Sequence, residues 1–466
     1  MDALNQNFPN DTIFAPASGQ GRAGISVVRI SGPDTNTILR QILRGSLPNV
    51  RKASLRKIRH PESGHVLDEA LVLRFSAPAS FTGEDMAELH LHGSPAVLEA
   101  VATAMLSLGL RLARAGEFTR RGFENGKMDL TEAEGLADLI DAQTERQRVQ
   151  ALRQMDGGLK DEYELWREAI LDALAQIEGE IDFPDEGDVP DGLSHRALPG
   201  LQTLSDQLKT ALQQSRRGEA IRHGVDIAII GAPNAGKSSL INGLTNKDTA
   251  IVSHIAGTTR DVLDAYIDID GLPVRLSDTA GLRLTKNVIE AEGVRRARAR
   301  ASQADLRIAL IDMTKRSQHV RVLLDLLQPG DIILLNKTDL NPADKAAEAV
   351  LAMITDRRDV SRETFEIARI AATDIDGVTA ARRLLTKVLQ DRFSMTEDAG
   401  LTRARHRDCV VKANEAVSRA ITALSIAPEL AGDDLRRALH AIKELAGETD
   451  IEAVLDRIFS RFCIGK

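Results

Sequence analysis

Gly231-Ala-Pro-Asn-Ala-Gly236-Lys237-Ser238 is the stretch on which the fold turns. It fits GxxxxGKS/T, with a strand-like run, Asp226-Ile-Ala-Ile-Ile230, before it and a helix-like run, Ser239-Leu-Ile-Asn-Gly-Leu244, after it. Glycines at these places let backbone N–H groups turn inward around β- and γ-phosphates, Lys237 sets a charge against them, and the Ser238 hydroxyl suits Mg²⁺. The stretch therefore predicts a mononucleotide site; a Gly-rich turn beside a solvated lysine is the alternative. Working outward from about Arg222 to Leu385, apolar strands at Val225 to Ile230, Leu306 to Ile311 and Asp331 to Leu335 alternate with polar and helical stretches. Such alternation predicts a parallel sheet with helices on both faces.

The flanks of this region read as helices. Trp166, Ile170, Leu174, Ile177 and Ile181 line one helical face, the stretch from Phe183 to Gly192 breaks it, and Leu201, Leu204, Leu208 and Leu212 begin another. Beyond the sheet region come Val410, Val417, Ile421 and Leu424, then Leu435, Leu439 and Ile442, then Ile451, Leu455 and Ile458, the last opening with the capping-box pattern Thr449-Asp-Ile-Glu452. Neither helical block has enough faces to close a core alone, so the α/β domain is expected to be inserted into one all-α domain. Earlier still, Gly24 to Ile30, Ala70 to Phe75 and Ala87 to His92 read as strands, and Pro95 to about Leu108 as a helix, which predicts an α+β domain. The expected boundaries are 1–125, 126–221, 222–385 and 386–466.

Composition narrows the function. A chain of 466 residues can bury several cores, and only Cys409 and Cys463 are present, after a start (Met1-Asp-Ala-Leu-Asn5) without a charged-then-apolar leader; a reducing, cytoplasmic setting is expected. The most apolar long window, Ala96 to Leu110, contains Glu99 and is too short to span a bilayer, so no membrane association is expected. A net charge of −8 opposes sequence-independent attraction to phosphate backbones, so any nucleic-acid contact must be local. Aromatics at 3% argue against a single-strand binder built on stacking platforms.

Three more elements follow the phosphate loop: Gly257-Thr258-Thr259-Arg260-Asp261, Asp278-Thr279-Ala280-Gly281, and Asn336-Lys337-Thr338-Asp339. With the loop they resemble translation-factor-type GTPases. That resemblance implies that the Asp339 carboxylate accepts two hydrogen bonds from the guanine edge, that Asn336 meets the base's other polar edge, and that GTP is preferred over ATP, which would leave a buried acceptor without donors. The fifth element, usually Ser-Ala, is Ala371-Ala372-Thr373 here, keeping a backbone contact to the base but not the serine's bond. The nucleotide site so implied comprises Asn234, Ala235, Gly236, Lys237, Ser238 and Ser239; Ser253, His254, Ile255, Ala256, Gly257, Thr258 and Thr259; Asp278, Thr279, Ala280 and Gly281; and Asn336, Lys337, Asp339, Ala371 and Ala372. Mg²⁺ falls to Ser238 and Thr259. Leu282 stands where signalling GTPases carry their water-orienting glutamine, so water must be positioned otherwise. Asn234, with Ser253 to Thr258, resembles the potassium-activated subgroup, in which K⁺ replaces an arginine finger; its ligands here would be Asn234, Ser253, Ile255 and Thr258. Glu290 and Glu292 are the nearest acids for the missing base, Glu290 being favoured by the resemblance below; an exposed carboxylate starting the helix with Arg295, Arg296, Arg298 and Arg300 is the other reading.

Other signals are weaker. Gly19-Gln-Gly21-Arg-Ala-Gly24 matches GxGxxG but precedes a strand, so it reads as a loop. His90 and His92 share one side of a strand, either as a metal pair or as a polar face.

Finally, Gly24-Ile-Ser-Val-Val-Arg29-Ile-Ser-Gly32, Phe81-Thr-Gly-Glu-Asp85 running into Glu88-Leu-His-Leu-His-Gly93, Gly116-Glu-Phe-Thr-Arg120 leading to Lys127-Met-Asp-Leu130, and the tail Cys463-Ile-Gly-Lys466 resemble the MnmE (TrmE) family of tRNA-modification GTPases over essentially the whole chain. The resemblance implies that the first domain resembles tetrahydrofolate-binding folds, dimerises, and takes 5-formyl- or 5,10-methylene-tetrahydrofolate as one-carbon source at Arg29, Glu88, Lys127 and Lys466. A carboxylate such as Glu88 suits a pterin's amino-pyrimidine edge, and basic residues suit a glutamyl tail; ordinary surface charge is the other reading. It further implies a heterotetramer of the homodimer with the flavoprotein MnmG (GidA), which alone carries FAD, installing aminomethyl or carboxymethylaminomethyl groups on carbon 5 of the wobble uridine of certain tRNAs. Lys237 and Glu290 would act in hydrolysis. Cys463 is either a nucleophile activated by the neighbouring cation or a small buried hydrophobe. A GTPase switch in ribosome assembly would share the same nucleotide motifs without a use for folate.

Overall fold

A computed structural model describes residues 11–19, 21–182, 193–245, 264–278, 299, 301–314, 320–340, 352, 365–393, 400–424, 426–449, 452–460, 462 and 464–465. The chain divides into two compact units, Met1–Ala137 with Leu439–Lys466, and Asp138–Ala438.

The first unit holds strands β1 (Ile13–Pro16), β2 (Ala23–Ser31), β3 (Ser54–Arg59), β4 (Val66–Phe75), β5 (Met86–Gly93) and β6 (Arg111–Leu112), with helices α1 (Thr35–Leu43), α2 (Pro95–Ser107) and α3 (Glu117–Glu124). The sheet order is β3-β4-β5-β2-β1-β6, antiparallel except for the parallel β1–β6 pair. Period two sorts its faces. Val28, Ile30, Ala70, Val72, Leu89 and Leu91 bury against Ile38, Leu39 and Ile42 of α1 and Val101 and Met105 of α2. The alternate positions, Arg29 and Glu88 among them, are directly opposed across β2–β5. The GxGxxG run does lead into a strand, β2.

At the far end of the chain, Leu455, Phe459 and Phe462 bury with Leu130 and Ala133, and Arg120 donates to Asp456 Oδ1 at 2.6 Å. Ile464 bridges Ala115 antiparallel, and Gly465, at φ +99°, lies so near β1 that a Cβ would stand 2.0 Å from the Pro16 carbonyl oxygen. Only glycine fits there.

In the second unit, α5 (Glu145–Met155), α6 (Gly158–Asp182) and α7 (Leu193–His223) precede the second sheet; α4 (Leu130–Asp141) lies ahead of them in the chain. Trp166, Ile170 and Ile177 are buried as their spacing predicts, but Ile181 is 36% exposed, so the stripe ends a turn early. The sheet contains β7 (Val225–Gly231), β8 (Asp264–Ile269), β9 (Leu272–Asp278), β10 (Leu306–Asp312), β11 (Ile332–Asn336) and β12 (Glu366–Arg369), in the order β12-β11-β10-β7-β9-β8. All neighbours are parallel except the β8–β9 hairpin. Helices α8 (Lys237–Leu244) and α10 (Ile375–Arg392) cover one face, burying Leu240, Leu385 and Leu389 against Ile227 and Ile229; α9 (Val320–Leu324) lies on the other, with Ile230, Ile311 and Leu335. The expected doubly covered parallel sheet is what forms. Beyond it are α11 (Ala404–Ala423) and α12 (Pro428–Ala446), and α13 (Glu452–Phe459) follows in the first unit.

The capping box is not where the sequence pattern placed it. The Thr449 hydroxyl is buried without a hydrogen-bond partner among the described residues, whereas Thr144 and Gln147 form the reciprocal pair at the start of α5. Gln147 Nε2 also donates to the Arg222 carbonyl at 3.0 Å, tying this helix start to the end of α7. Thr144→Ala is expected to destabilise the second unit by about 1 kcal/mol, seen as a lower urea midpoint for its unfolding.

Candidate functional site

The site starts where β7 runs out. A Cβ on Gly231 would stand 2.6 Å from the Leu310 carbonyl oxygen, so the strand turns away from β10 at a residue without a side chain. The loop then uses left-handed backbone at Asn234 (φ +62°) and Gly236 (φ +102°), the latter capping α8. Asn is among the few side chains that tolerate this region. Lys237 is buried, and its Nζ donates to the carbonyls of Gly231 at 2.9 Å and Ala232 at 3.0 Å. The ammonium is thus folded into the loop it closes, beside first-turn amides of α8 that have no intrahelical acceptor. Such a cradle of N–H donors and one cation suits a polyphosphate. Ser238 and Ser239 are exposed on that first turn, where the Ser238 hydroxyl can serve Mg²⁺.

Asn336, at the end of β11, joins this loop to the next. Its Nδ2 donates to the Ala235 carbonyl at 2.7 Å, and its Oδ1 accepts from Ala372 N at 2.8 Å. The side chain is 2% exposed. The expectation gave Asn336 a polar edge of the base; the structure adds a second role, engaging one donor and one acceptor of its carboxamide with backbone because β11 delivers it between the two loops, and leaves its second N–H for a base. Its neighbour Gly236 is required: a Cβ there would lie 2.3 Å from Asn336 Nδ2. Gly377 is likewise excluded from carrying a side chain by Ala371, whose carbonyl oxygen would be 2.2 Å from its Cβ.

Lys337 takes left-handed backbone (φ +65°), and its Nζ lies 2.7 Å from Asp312 Oδ2. Burial pushes the Asp312 carboxyl up, but hydrogen bonds from Lys337 and Thr314 outweigh it and hold the group below the ordinary aspartate value. Thr338 anchors the turn by donating Oγ1 to the Ile370 carbonyl at 3.1 Å. Asp339 is left exposed, its carboxylate open to a ligand. The structure therefore gathers Asn234 to Ser239, Asn336, Lys337, Ala371 and Ala372 into one frame, with Asp339 on the same turn. Ser253, His254, Ile255, Ala256, Gly257, Thr258, Thr259, Thr279, Ala280, Gly281 and Glu290 lie outside the described residues, as does the side chain of Asp278 at the end of β9.

A second constellation lies in the first unit. Arg29 donates Nη2 to Glu88 Oε1 at 2.9 Å, and its guanidinium lies 5.2 Å from the Phe81 ring and 5.7 Å from that of Phe118. Lys127 is exposed and packs its stem on Gly83, where an added Cβ would meet it at 3.3 Å. Cys463 and Lys466 are outside the described residues. His90 and His92 face different carboxylates: His90 Nε2 lies 3.4 Å from Glu88 Oε2, and His92 Nδ1 lies 2.7 Å from Asp68 Oδ1. Sequence reasoning missed the buried set below this face, where Arg121 donates to Asp11, Glu84 and Glu117. Nothing in the local pattern sets these charges apart from surface ones. It also missed the β8–β9 hairpin, although Asp270-Gly271 between alternating apolar residues is a strong hairpin signal.

A parallel sheet with a phosphate loop after β7 and an Asn-Lys-Thr-Asp turn after β11 defines a P-loop GTPase. The family model described as "MnmE helical domain" matches residues 130–463, and "GTP-binding protein TrmE N-terminus" matches 12–127. A tRNA modification GTPase MnmE from Maricaulis maris is 49% identical over 460 residues, covering 98% of this chain and 100% of that protein. The protein of the same name from Caulobacter vibrioides is 47% identical over 462 residues, covering 98% and 100%. The chain belongs to the MnmE family of tRNA modification GTPases: it hydrolyses GTP and acts on tRNA in its modification. No helix among the described residues is long and apolar enough to cross a membrane.

Removing the Asn336 carboxamide leaves Ala235 and Ala372 without their buried partners, at roughly 1–3 kcal/mol for each unsatisfied group. Asn336→Ala is expected to weaken GDP binding at least about tenfold, as read by titration with a fluorescent nucleotide.

Proposed function

We propose that this chain is a potassium-activated GTPase whose hydrolysis drives modification of carbon 5 of the wobble uridine, with a folate one-carbon unit and a flavoprotein partner of the MnmG type that carries the FAD. The observation that carries the nucleotide part of this reading is the Asn336 tie, which holds the phosphate loop and the Ala371-Ala372 loop in one frame with the Asp339 turn alongside. In that frame the α8 amides and Lys237 hold the phosphates, Asp339 accepts from the guanine edge, and backbone at Ala371 and Ala372 lines the base. Mg²⁺ would be held by Ser238 and Thr259, with the Asp278 carboxylate nearby. K⁺ would be held by Asn234, Ser253, Ile255 and Thr258, supplying positive charge where an arginine finger would otherwise act. Glu290 is assigned the positioning of water.

In the first unit, Arg29, Glu88 and Lys127 are assigned to the tetrahydrofolate, joined by Lys466. Support comes from the Arg29–Glu88 pair beneath two phenylalanines, a polar edge next to an apolar face as a pterin requires. The described tail residues Ile464 and Gly465 run beside β1 of the same unit, which supports a place there for the terminal lysine. Cys463 is assigned the role of nucleophile in the modification step. We further propose a cytoplasmic homodimer that forms a heterotetramer with the flavoprotein, the GTPase domain 222–385 being inserted between helical segments 126–221 and 386–466 and preceded by the folate domain 1–125.

Mass spectrometry of wobble uridines in tRNA from cells depleted of the protein tests this reading. The modified uridines should disappear and return with the wild-type chain but not with Lys237→Ala, while Glu88→Gln should restore GTP hydrolysis without the modification. Uridines that stay modified in depleted cells would favour a switch acting elsewhere, such as in ribosome assembly. Replacing K⁺ by Na⁺ at equal ionic strength should slow hydrolysis by at least about tenfold; equal rates would remove the potassium assignment.

A further inference from the structure

An acidic protein that acts on tRNA needs a place where the local charge is reversed. Among the described residues of the second unit, a cavity of about 890 Å³ supplies one. It lies at the β7 end that begins with Val225 and Asp226, whereas the phosphate loop follows the other end, about 20 Å away along the strand. The two sites are therefore distinct.

Its floor is a row across the sheet, Tyr266–Arg275–Asp226, in which each residue faces the next on β8, β9 and β7. Its wall is one face of α7, where Gln213, Arg216, Arg217, Ala220 and His223 recur at helical spacing. Five guanidiniums and three carboxylates line it. Each carboxylate is already engaged. Arg275 Nε donates to Asp226 Oδ1 at 2.6 Å and its Nη2 to Oδ2; Arg407 Nη1 donates to Glu219 Oε1 at 2.8 Å and Oε2 at 2.9 Å; Asp305 Oδ2 accepts from Asp226 N at 2.9 Å. Arg392 donates to two carbonyls, of Asp305 and Pro329, and its nearest carboxylate oxygen, on Asp331, is 3.9 Å away. Arg216 and Arg217 make no hydrogen bond or ion pair with any described residue, and Arg216 is exposed.

We propose that this cavity is a tRNA contact, with Arg216 and Arg217 binding phosphates of the RNA backbone. Two adjacent guanidiniums without a partner among the described residues offer forked donors matched to phosphate oxygens, and the five guanidiniums outnumber the three carboxylates, which keeps the local field positive. The space is far larger than a single phosphate needs, and the Tyr266 ring among the arginines provides a face for a base or ribose. Concentrating the contact here meets the restriction set by a net charge of −8 over the whole chain. The proposal rests on the family's action on tRNA and on none of the folate or potassium assignments.

The test is binding of an unmodified tRNA transcript to the full chain, followed by fluorescence anisotropy across a KCl series. Arg216→Glu with Arg217→Glu should raise the dissociation constant at least about tenfold near 0.1 M salt and reduce the log–log salt slope by about two. Arg216→Lys with Arg217→Lys should retain most of both. GTP hydrolysis and nucleotide affinity of the glutamate variant should stay within about twofold of wild type, which shows that it folds. Unchanged affinity and slope, a wild-type chain that binds no tRNA, or loss of a protein partner while tRNA binding persists would each overturn the proposal. If the wild-type chain restores modified uridines in cells and the glutamate variant binds tRNA as wild type does, the cavity assignment alone fails.

Discussion

The nucleotide site depends on one carboxamide. Asn336 is the last residue of β11, buried, and among the described residues its side chain bonds the Ala235 carbonyl on one side and the Ala372 amide on the other. A strand end is a rigid place to stand: Asn336 is paired with Asp312 of β10, and Leu335 before it with both β10 and β12. The two loops it joins have no such ladder. Holding both to one side chain joins the two turns into a single cradle, and the low dielectric around the buried amide makes each bond costly to break. Glycine at 236 is the necessary counterpart, since the carboxamide occupies the space a side chain would fill.

The same unit shows how the helices and the sheet are fastened together. Asp270, at the tip of the β8–β9 hairpin in left-handed backbone, accepts from Arg146 of α5 at 2.5 Å and Gln390 of α10 at 2.9 Å. Gly271 beside it is crowded by the Arg146 stem, where a Cβ would stand 2.8 Å away. Arg222, near the end of α7, donates to Asp138, which also accepts from Arg403 just ahead of α11. These bonds link chain segments far apart in sequence, so the sheet region is held by helices from before and after it. The strand leaving the gripped hairpin, β9, is the one that ends at Asp278.

The first unit carries an ion network around two buried members, Arg121 and Glu117. Arg121, Arg111, Glu117, Glu84 and Asp11 share hydrogen bonds under the sheet edge. Burial pushes the Glu117 carboxyl up, yet the bonds from Arg111, Arg114 and Arg121 prevail and hold it low. Removing Arg121 or Glu117 alone is expensive, because it strands the buried charge of the other.

The phosphate loop, the parallel sheet around it and the long amphipathic helices were legible in the sequence, because each is written in local terms: glycines at fixed spacing, apolar runs of strand length, and apolar residues every three or four positions. The Lys237 loop and the turn from Asn336 to Asp339 were legible too, as motifs at their spacing. What the sequence did not disclose was what side chains do once distant segments meet. Asn336 was read as a base contact, and its tie between two loops was not foreseen; Thr449 was read as a cap and has no partner among the described residues, while Thr144 and Gln147 form one; Ile181 was placed on the apolar face and is 36% exposed. The reversed charge around Arg216 and Arg217 is likewise invisible in a chain whose composition is acidic. Spacing along the chain determines which backbone conformation is favoured and which face is apolar. Which polar group finds a partner, and which guanidinium is left without one, is a property of three-dimensional proximity, and only the tertiary structure decides it.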